Sequence, residues 1–277
     1  MSRDLLIFLY YITPALATLI WPIRALFTSK PVLPAQWLLS VVQILSAMAI
    51  ITFGILHYNI MNEKYLADVI YTILSVFIYP VLYLYVCSLT SREGVTRKDR
   101  IIAFLPPLIY IVAFSVNLFY IGEESYNYYF YRVFQHNDFS LLPSKSYNAM
   151  VIIGYWGFNL LLLLQAVGFM TIGYIKLSRY RKELVEFNPA LKRKARSAYW
   201  ITGFAFLSTV SMVGVFFTYD VHSVSSMGLL YVLLLSIAVN QYLLGQTGYY
   251  LDFSSRQMYL KKYLQESMNT NAKEIKK

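Results

Sequence analysis

The stretch ADVIYTILSVFIYPVLYLYVCSL, residues 67–89, decides the fold class of this chain. Its only charged residue is Asp68, next to its start, and it is as long as a helix that crosses a bilayer, which needs about 20 mostly apolar residues. Six other segments have a similar length and composition. We therefore expect an all-α integral membrane protein built as a seven-helix bundle. The predicted spans are Leu5–Phe27, Trp37–Tyr58, Ala67–Leu89, Ile101–Ile121, Tyr147–Leu177, Ser197–Tyr219 and Ser225–Leu244.

The composition of the chain also indicates a membrane protein. Of its 277 residues, 58% are hydrophobic and only 14% are charged, whereas a soluble domain is about 45–50% apolar and about 25% charged. The spans leave no room for a separate soluble domain. We expect a transmembrane domain over residues 1–246 and a cytoplasmic exit helix over residues 247–277. The net charge of +10 fits basic loops that face anionic lipid rather than nucleic acid.

Basic residues predict the orientation of the bundle. Twenty of the 24 Lys and Arg residues lie at or beyond the same ends of the spans, and only Arg3, Lys64, Arg132 and Lys145 lie on the other side. Because basic loops stay in the cytoplasm, the N-terminus is expected outside and the C-terminus inside. The run Ala15-Leu16-Ala17 looks like a signal-peptidase site. Cleavage there would leave six spans and place the basic loops outside, so we reject it.

Neutral polar residues, rather than charged ones, occupy the middle of the spans. Charges at mid-bilayer usually mark ion or proton paths, so their absence from the sequence there disfavours a proton-coupled transporter or an ion pump. The neutral residues are expected to form hydrogen bonds between helices; alternatively, some of them line a ligand pocket. They are Gln43, Asn117, Asn159, Gln165, Asn240 and Gln241.

Polar and aromatic residues gather at the predicted outer ends of the spans. Imidazole and carboxylate groups there could bind a cationic ligand or respond to external pH, although they could equally be ordinary polar rim residues. No spacing matches a metal motif, so we expect no metal site. The candidate ligand-binding residues are His57, Asp68, Tyr71, Tyr79, Tyr155, Trp156, Tyr219, Asp220 and His222.

The outer loop over residues 122–146, called the lid below, is unusually long and aromatic. Its run ESYNYYFY covers residues 124–131. We expect this loop to fold over the outer mouth of the bundle as a short hairpin. The alternative is an amphipathic segment lying among lipid headgroups. The proposed lid residues are Tyr126, Tyr128, Tyr129, Tyr131 and His136.

The tail and the single cysteine complete the sequence features. Residues 249–268 contain no Gly or Pro and have partial helical periodicity. We therefore expect the exit helix to relay a signal through Phe253, Leu260 and Leu264. Cys87 has no cysteine partner and is expected to be a buried, inert thiol. The chain contains no HExxH, GxSxG, P-loop or dinucleotide-binding motif, so neither an enzyme nor a cofactor is predicted.

One local pattern resembles a known family. Residues 79–90, YPVLYLYVCSLT, are followed by Arg97-Lys98-Asp99 and Phe104-Leu105-Pro106. This resembles the pattern P-L-L-Y-L-Y-V-R-S-L-T, basic-D, H-F-L-P in the membrane regions of Bacteroidetes-type regulators, where several spans precede an AraC-type helix-turn-helix domain. The resemblance covers residues 79–107, with Cys87 in place of the usual Arg and Ala103 in place of the usual His.

The resemblance implies a sensor in the bacterial inner membrane with a transcriptional output. The signal would be an extracytoplasmic or membrane-borne small molecule, peptide or lipid. DNA would bind only to a domain beyond Lys277, and the paired DNA sites of such regulators are consistent with a homodimer formed through the exit helix. A small multi-pass transporter and the sensor region of a histidine kinase are the alternatives.

Overall fold

The structure is a computed structural model that describes residues 3–27, 33–58, 64–135, 138–218, 224–251, 257–260 and 264. Within these ranges it describes the side chains from Tyr11 onward, except those of residues 57, 58, 64, 65, 134, 135, 194, 215–218 and 224–228. The described elements are helical, and no strand occurs in these ranges. In order they are α1 (Arg3–Leu26), α2 (Pro34–Tyr58), α3 (Lys64–Thr90), α4 (Arg97–Ile121), α5 (Glu123–Phe130), a π-helical turn (Tyr131–Gln135), α6 (Lys145–Ala149), a π-helix (Met150–Gly157), α7 (Phe158–Phe187), a 3-10 turn (Pro189–Leu191), α8 (Lys192–Thr218) and α9 (Val224–Tyr250).

Five helical stretches among the described residues are long and apolar enough to cross a membrane. The prediction of an all-α fold with helices long and apolar enough to span a membrane is thereby confirmed for the described residues, while the count of seven spans and the orientation stay predictions. Helices α1 and α8 have comparable lengths of 24 and 27 residues. The five stretches are Pro34–Leu56, Leu66–Thr90, Arg97–Ile121, Lys145–Phe187 and Leu229–Tyr250.

Helix α3 packs against α2, α4 and α7. Helix α9 contacts α1, α2 and α8, and α8 contacts α7, so α2, α3, α7, α8 and α9 form a closed ring of contacts. Helix α3 is the most buried of the five apolar stretches. Its buried residues Tyr71 and Val76 belong to one hydrophobic cluster, and Val81 and Leu89 belong to a second.

Helix α9 continues past the predicted end of the seventh span at Leu244. It runs to Tyr250 and includes Gly245 and Gly248. Both glycines are close-approach positions: a Cβ on Gly245 would lie 2.5 Å from Trp21 Cδ1, and one on Gly248 would lie 2.3 Å from Leu39 Cδ2. The glycines therefore allow close packing instead of ending the helix.

Candidate functional site

A cavity of about 140 Å³ lies inside the bundle between α2, α3, α7, α8 and α9. Most of its lining residues lie more than one turn from either end of α2, α3, α8 and α9, for example Val42–Ile50 and Tyr71–Leu82, and the others come from the first two turns of α7. Most of the wall is aliphatic, and among the described residues no charged side chain lines it. The polar lining residues are Ser46, Tyr71, Ser75, Tyr79, Asn159, Ser208, Thr209 and Gln241.

Several of these polar groups are satisfied within the protein. Ser46 Oγ donates to the carbonyl of Val42 at 2.9 Å, and Asn159 Nδ2 donates to the carbonyl of Tyr155 at 2.9 Å. The hydroxyls of Tyr79 and Thr209 share a hydrogen bond between α3 and α8. Such bonds return polar atoms to the backbone or to a neighbouring helix, as an apolar environment requires.

Two polar atoms in the cavity wall are not satisfied. Ser208 Oγ and Gln241 Oε1 are buried and have no hydrogen-bond partner, and the two side chains belong to residues that are 7% and 6% exposed. A buried unsatisfied polar atom costs about 1–3 kcal/mol. Turning either side chain toward a polar group in the cavity would remove this cost, so these two lining residues favour a polar ligand. Because the wall carries no charge, that group is expected to be neutral.

The lid lies at one end of this cavity. Asp68, one turn before Tyr71 on α3, is buried, and its Oδ2 accepts a hydrogen bond of 2.6 Å from Tyr126 Oη of α5. Tyr71 in turn lies 5.9 Å, centroid to centroid, from Phe158 of α7. The lid is therefore joined to α3 directly above an aromatic layer that includes a cavity residue.

Residues 123–135 of the lid form a helix and a π-helical turn, not a β-hairpin, so the hairpin expectation was wrong. Its residues at positions i, i+3, i+4 and i+7 are buried, namely Tyr126, Tyr129, Phe130 and Val133, whereas Tyr128 and Tyr131 are exposed. This spacing is that of an amphipathic helix, which places one face of α5 and of the π-helical turn against the bundle. The aromatic run thus closes the core and leaves two tyrosines at the surface.

Charged and hydroxyl groups fix the far end of the lid. Arg132 Nε donates to Asp138 Oδ2 at 2.8 Å, and Ser140 Oγ donates to Asp138 Oδ1 at 2.6 Å. Hydrogen bonds from Ser140 and from Arg132 lower the pKa of Asp138 to about 2. The Arg132 guanidinium also lies 5.6 Å from the ring centroid of Tyr128. Asp138 therefore remains a carboxylate at any ordinary pH.

The predicted outer ligand site divides into several places in the structure. Tyr71 and Tyr79 line the cavity, and Asp68 lies beneath the lid. Tyr155 and Trp156 instead contact Phe139, with ring centroids 4.7 and 5.4 Å apart. Leu260 and Leu264 of the proposed relay are exposed. Tyr219, Asp220, His222, His136 and Phe253 lie outside the described residues, as does the side chain of His57.

The prediction that the six neutral polar residues form hydrogen bonds between helices or line a pocket is met by some of them and not by others. Gln43 Nε2 donates to the carbonyl of Gln241 at 3.1 Å, which is the expected bond between helices. Asn117 donates to Ala113 of its own helix. Gln165 is buried without a partner and outside the cavity, and the structure offers no physical reason for this. Only Asn159 and Gln241 of the six line the cavity.

Sequence reasoning missed the serines of the cavity. Ser46, Ser75 and Ser208 lie in the middle of apolar helices, and this position was the only available signal. Serine also occurs widely at helix interfaces, so its type alone does not distinguish a lining residue from a packing residue.

A second polar cluster joins α3, α4 and α7. Asp99 Oδ1 accepts a hydrogen bond of 3.0 Å from Tyr83 Oη, and Asp99 Oδ2 accepts one of 2.6 Å from Thr96 Oγ1. Lys176 Nζ lies 3.7 Å from Asp99 Oδ1 and donates to Cys87 Sγ at 3.2 Å. Cys87 is buried as predicted, but its neighbours are polar as well as apolar. Every polar side chain in this cluster has a partner.

No three metal-ligating side chains lie together in the part of the chain that the structure describes. Comparison with known proteins adds no identification. No protein-family model, no curated protein and no solved structure matches the chain.

Proposed function

We propose that this chain is a membrane-embedded sensor domain whose ligand binds in the cavity. The proposed protein is a seven-span protein of the bacterial inner membrane with an external N-terminus and a cytoplasmic C-terminus. Seven described helices of 24 residues or more and the bias of the basic residues support this topology. Reporter fusions within residues 122–146 and 178–196 test it, and an external loop at 178–196 would contradict it.

The cavity is the observation that carries the proposal. It combines internal volume with two lining residues, Ser208 and Gln241, whose Oγ and Oε1 atoms are buried and have no hydrogen-bond partner. A ligand that satisfies them would favour the arrangement of α8 and α9 in which both face the cavity. Ligand binding shifts a conformational equilibrium by its difference in affinity for the two states.

A series of contacts among the described residues leads from the cavity to the tail. Helix α3 lines the cavity and ends at Thr90, and Arg92 follows it with its guanidinium 5.4 Å from the ring centroid of Tyr259. Met258, the neighbour of Tyr259, is buried against the bundle. We propose that this contact passes a movement of α3 to the exit helix, including Leu260 and Leu264.

The proposed output is transcriptional, through an AraC-type DNA-binding domain outside this chain, with a homodimer formed through the exit helix. The local resemblance of residues 79–107 supports this output. The coding sequence after Lys277 is the direct test: a helix-turn-helix domain would support the proposal, and a histidine-kinase core would redirect it.

A reporter assay tests the sensing step. Residues 1–277 are fused to a transcription domain that works only as a dimer and are expressed in a bacterial membrane. Ser208→Leu, which fills the cavity, is expected to change reporter output, and Tyr259→Ala is expected to uncouple output from the cavity. Leu160→Ala, at an exposed position of α7 outside the cavity wall, serves as the control. Unchanged output in both test variants would contradict the sensing role.

A small transporter is the second candidate, because the lining residues on α2, α3, α8 and α9 lie more than one turn from either end of those helices. Substrate sites of transporters lie near this level of the membrane. Uptake of a substrate by proteoliposomes that contain only this chain would favour transport over sensing.

A further inference from the structure

We propose that the cavity ligand is a neutral amphiphile with one hydroxyl group, such as an alkanol, and that it enters sideways from the lipid bilayer between α7 and α8. This inference rests on the proposed membrane location and ligand-binding role. It adds the chemical class of the ligand and its path.

Both ends of the bundle are closed. At the lid end, Tyr126, Tyr129 and Phe130 are fully buried over the aromatic layer that contains Tyr71. At the other end, Gly248 lets α9 approach α2 and α3 so closely that an added Cβ would lie 2.3 Å from Leu39 and 2.9 Å from the Tyr85 hydroxyl. A ligand that travelled along the bundle axis would have to displace one of these packed layers.

The side of the cavity is open by comparison. Of its lining residues, Leu163 and Val213 are the two whose side chains are also exposed on the surface of the described structure, at 56% and 45%. Leu163 belongs to α7 and Val213 to α8, and these helices are neighbours. The cavity therefore reaches the bundle surface between α7 and α8. In a membrane, this part of the surface faces acyl chains.

The wall chemistry selects the ligand class. An aliphatic wall without charge disfavours ions and zwitterions, because a charge moved into it would lose its hydration without a counter-ion. Gln241 Oε1 can only accept a hydrogen bond, so the ligand must donate one. Ser208 Oγ can donate or accept. A ligand hydroxyl group can donate to Gln241 Oε1 or exchange a hydrogen bond with Ser208 Oγ, whereas an alkane can do neither.

The volume sets the size of the bound group. A dry engineered cavity of about 150 Å³ in another protein binds benzene, so about 140 Å³ holds a group of similar size. A longer alkyl chain would extend through the gap beside Leu163 and Val213. The opening thus allows a ligand larger than the cavity itself.

Photolabelling tests this proposal. The whole chain in lipid nanodiscs is irradiated with an octanol that carries a diazirine, and labelled peptides are mapped by mass spectrometry. Labels are expected on residues 159–163 and 208–213, and an excess of n-octanol is expected to prevent them. The matched probes are octane and octanoate with the same diazirine, and both are expected to label these segments at least about fivefold less, as the loss of one hydrogen bond predicts.

Four variants distinguish the entry path between α7 and α8 from binding in the cavity itself. Ser208→Leu is expected to remove labelling at all positions by filling the cavity. Leu163→Trp and Val213→Trp are expected to slow the appearance of label by closing the gap, with label at residues 208–213 recovered after long incubation. Leu160→Trp, at a residue that is 57% exposed on α7 but outside the wall, is expected to label as the unmodified chain does.

The outcomes distinguish this inference from the proposed function. Equal labelling by octane or octanoate would overturn the ligand class, and unchanged labelling rates in both tryptophan variants would overturn the lateral path. If octanol labels the cavity but never changes reporter output, the sensing role fails and the binding site stands. If cavity variants change output without any octanol labelling, the sensing role stands and this inference fails.

Discussion

Two polar regions inside the same apolar bundle differ in whether their polar side chains have hydrogen-bond or ion-pair partners. In the cluster of Tyr83, Cys87, Asp99 and Lys176, each polar side chain has a partner from another helix or from the N-cap of α4. In the cavity, Ser208 Oγ and Gln241 Oε1 have none. A saturated cluster fixes helices relative to one another, whereas an unsaturated wall is stabilised by something that binds to it.

The saturated cluster also involves the positions that resemble a regulator family. Where that pattern has an arginine, this chain has Cys87, and Lys176 of α7 lies within 3.2 Å of its sulfur. Where the pattern has a histidine, Ala103 packs with Tyr83 and Cys87. In this chain, a lysine from a different helix therefore supplies the positive charge beside Asp99.

Removal of the Asp99 carboxylate is expected to have the largest effect on stability. Asp99→Ala deletes the capping box of α4 and leaves Tyr83 and Lys176 without their acceptor, which should cost about 2–4 kcal/mol. Thermal unfolding in detergent measures this loss. Glu93→Ala, which removes an exposed carboxylate nearby, is the control. Equal melting temperatures for the two variants would show that the saturated cluster contributes little.

Close packing at the end of α9 is the next feature to test. Gly245→Ala places a Cβ 2.5 Å from Trp21 Cδ1, and this overpacking should cost about 1–3 kcal/mol. Gly168→Ala is the matched control, because no atom lies within 4 Å of its added Cβ; it should gain about 0.5–1 kcal/mol from helix propensity. The same unfolding assay applies, and loss of stability in both variants would contradict the packing argument.

The bond between the lid and α3 should have a smaller effect. Tyr126→Phe removes the donor to the buried Asp68 carboxylate and should cost about 1–2 kcal/mol. It should also raise hydrogen exchange across residues 123–135. Tyr128→Phe, at an exposed position whose ring contacts the phenylalanine would retain, should leave exchange unchanged. If Tyr126→Phe exchanges no faster than Tyr128→Phe, the lid is held mainly by its buried apolar face.

The cavity hydroxyl should have the smallest effect. Ser208→Ala removes a buried atom that has no partner, so the free energy of unfolding should not fall and should rise by about 1 kcal/mol at most. The adjacent Thr209→Val breaks the bond to Tyr79 and should cost about 1 kcal/mol. A larger loss for Ser208→Ala in ligand-free protein would mean that Ser208 has a partner and that the two polar regions do not differ.

The lid and the cavity mark the limits of sequence reasoning. The buried positions at 126, 129, 130 and 133 have helical spacing, but the residue types of the aromatic run also favour strands, and on that ground the sequence predicts a hairpin. For the cavity, the sequence singles out Tyr71, Tyr79, Asn159 and Gln241, but it places Tyr71 and Tyr79 at an outer mouth rather than in the interior of the bundle.

Composition alone determined that the chain is helical, with helices long and apolar enough to cross a membrane, because runs of apolar residues must satisfy their backbone bonds internally in lipid. It also supplied the charge bias from which the orientation is predicted. Only the tertiary structure decided which polar side chains are paired. Whether a serine or a glutamine finds a partner depends on the atoms of neighbouring helices, and a single sequence does not specify those distances.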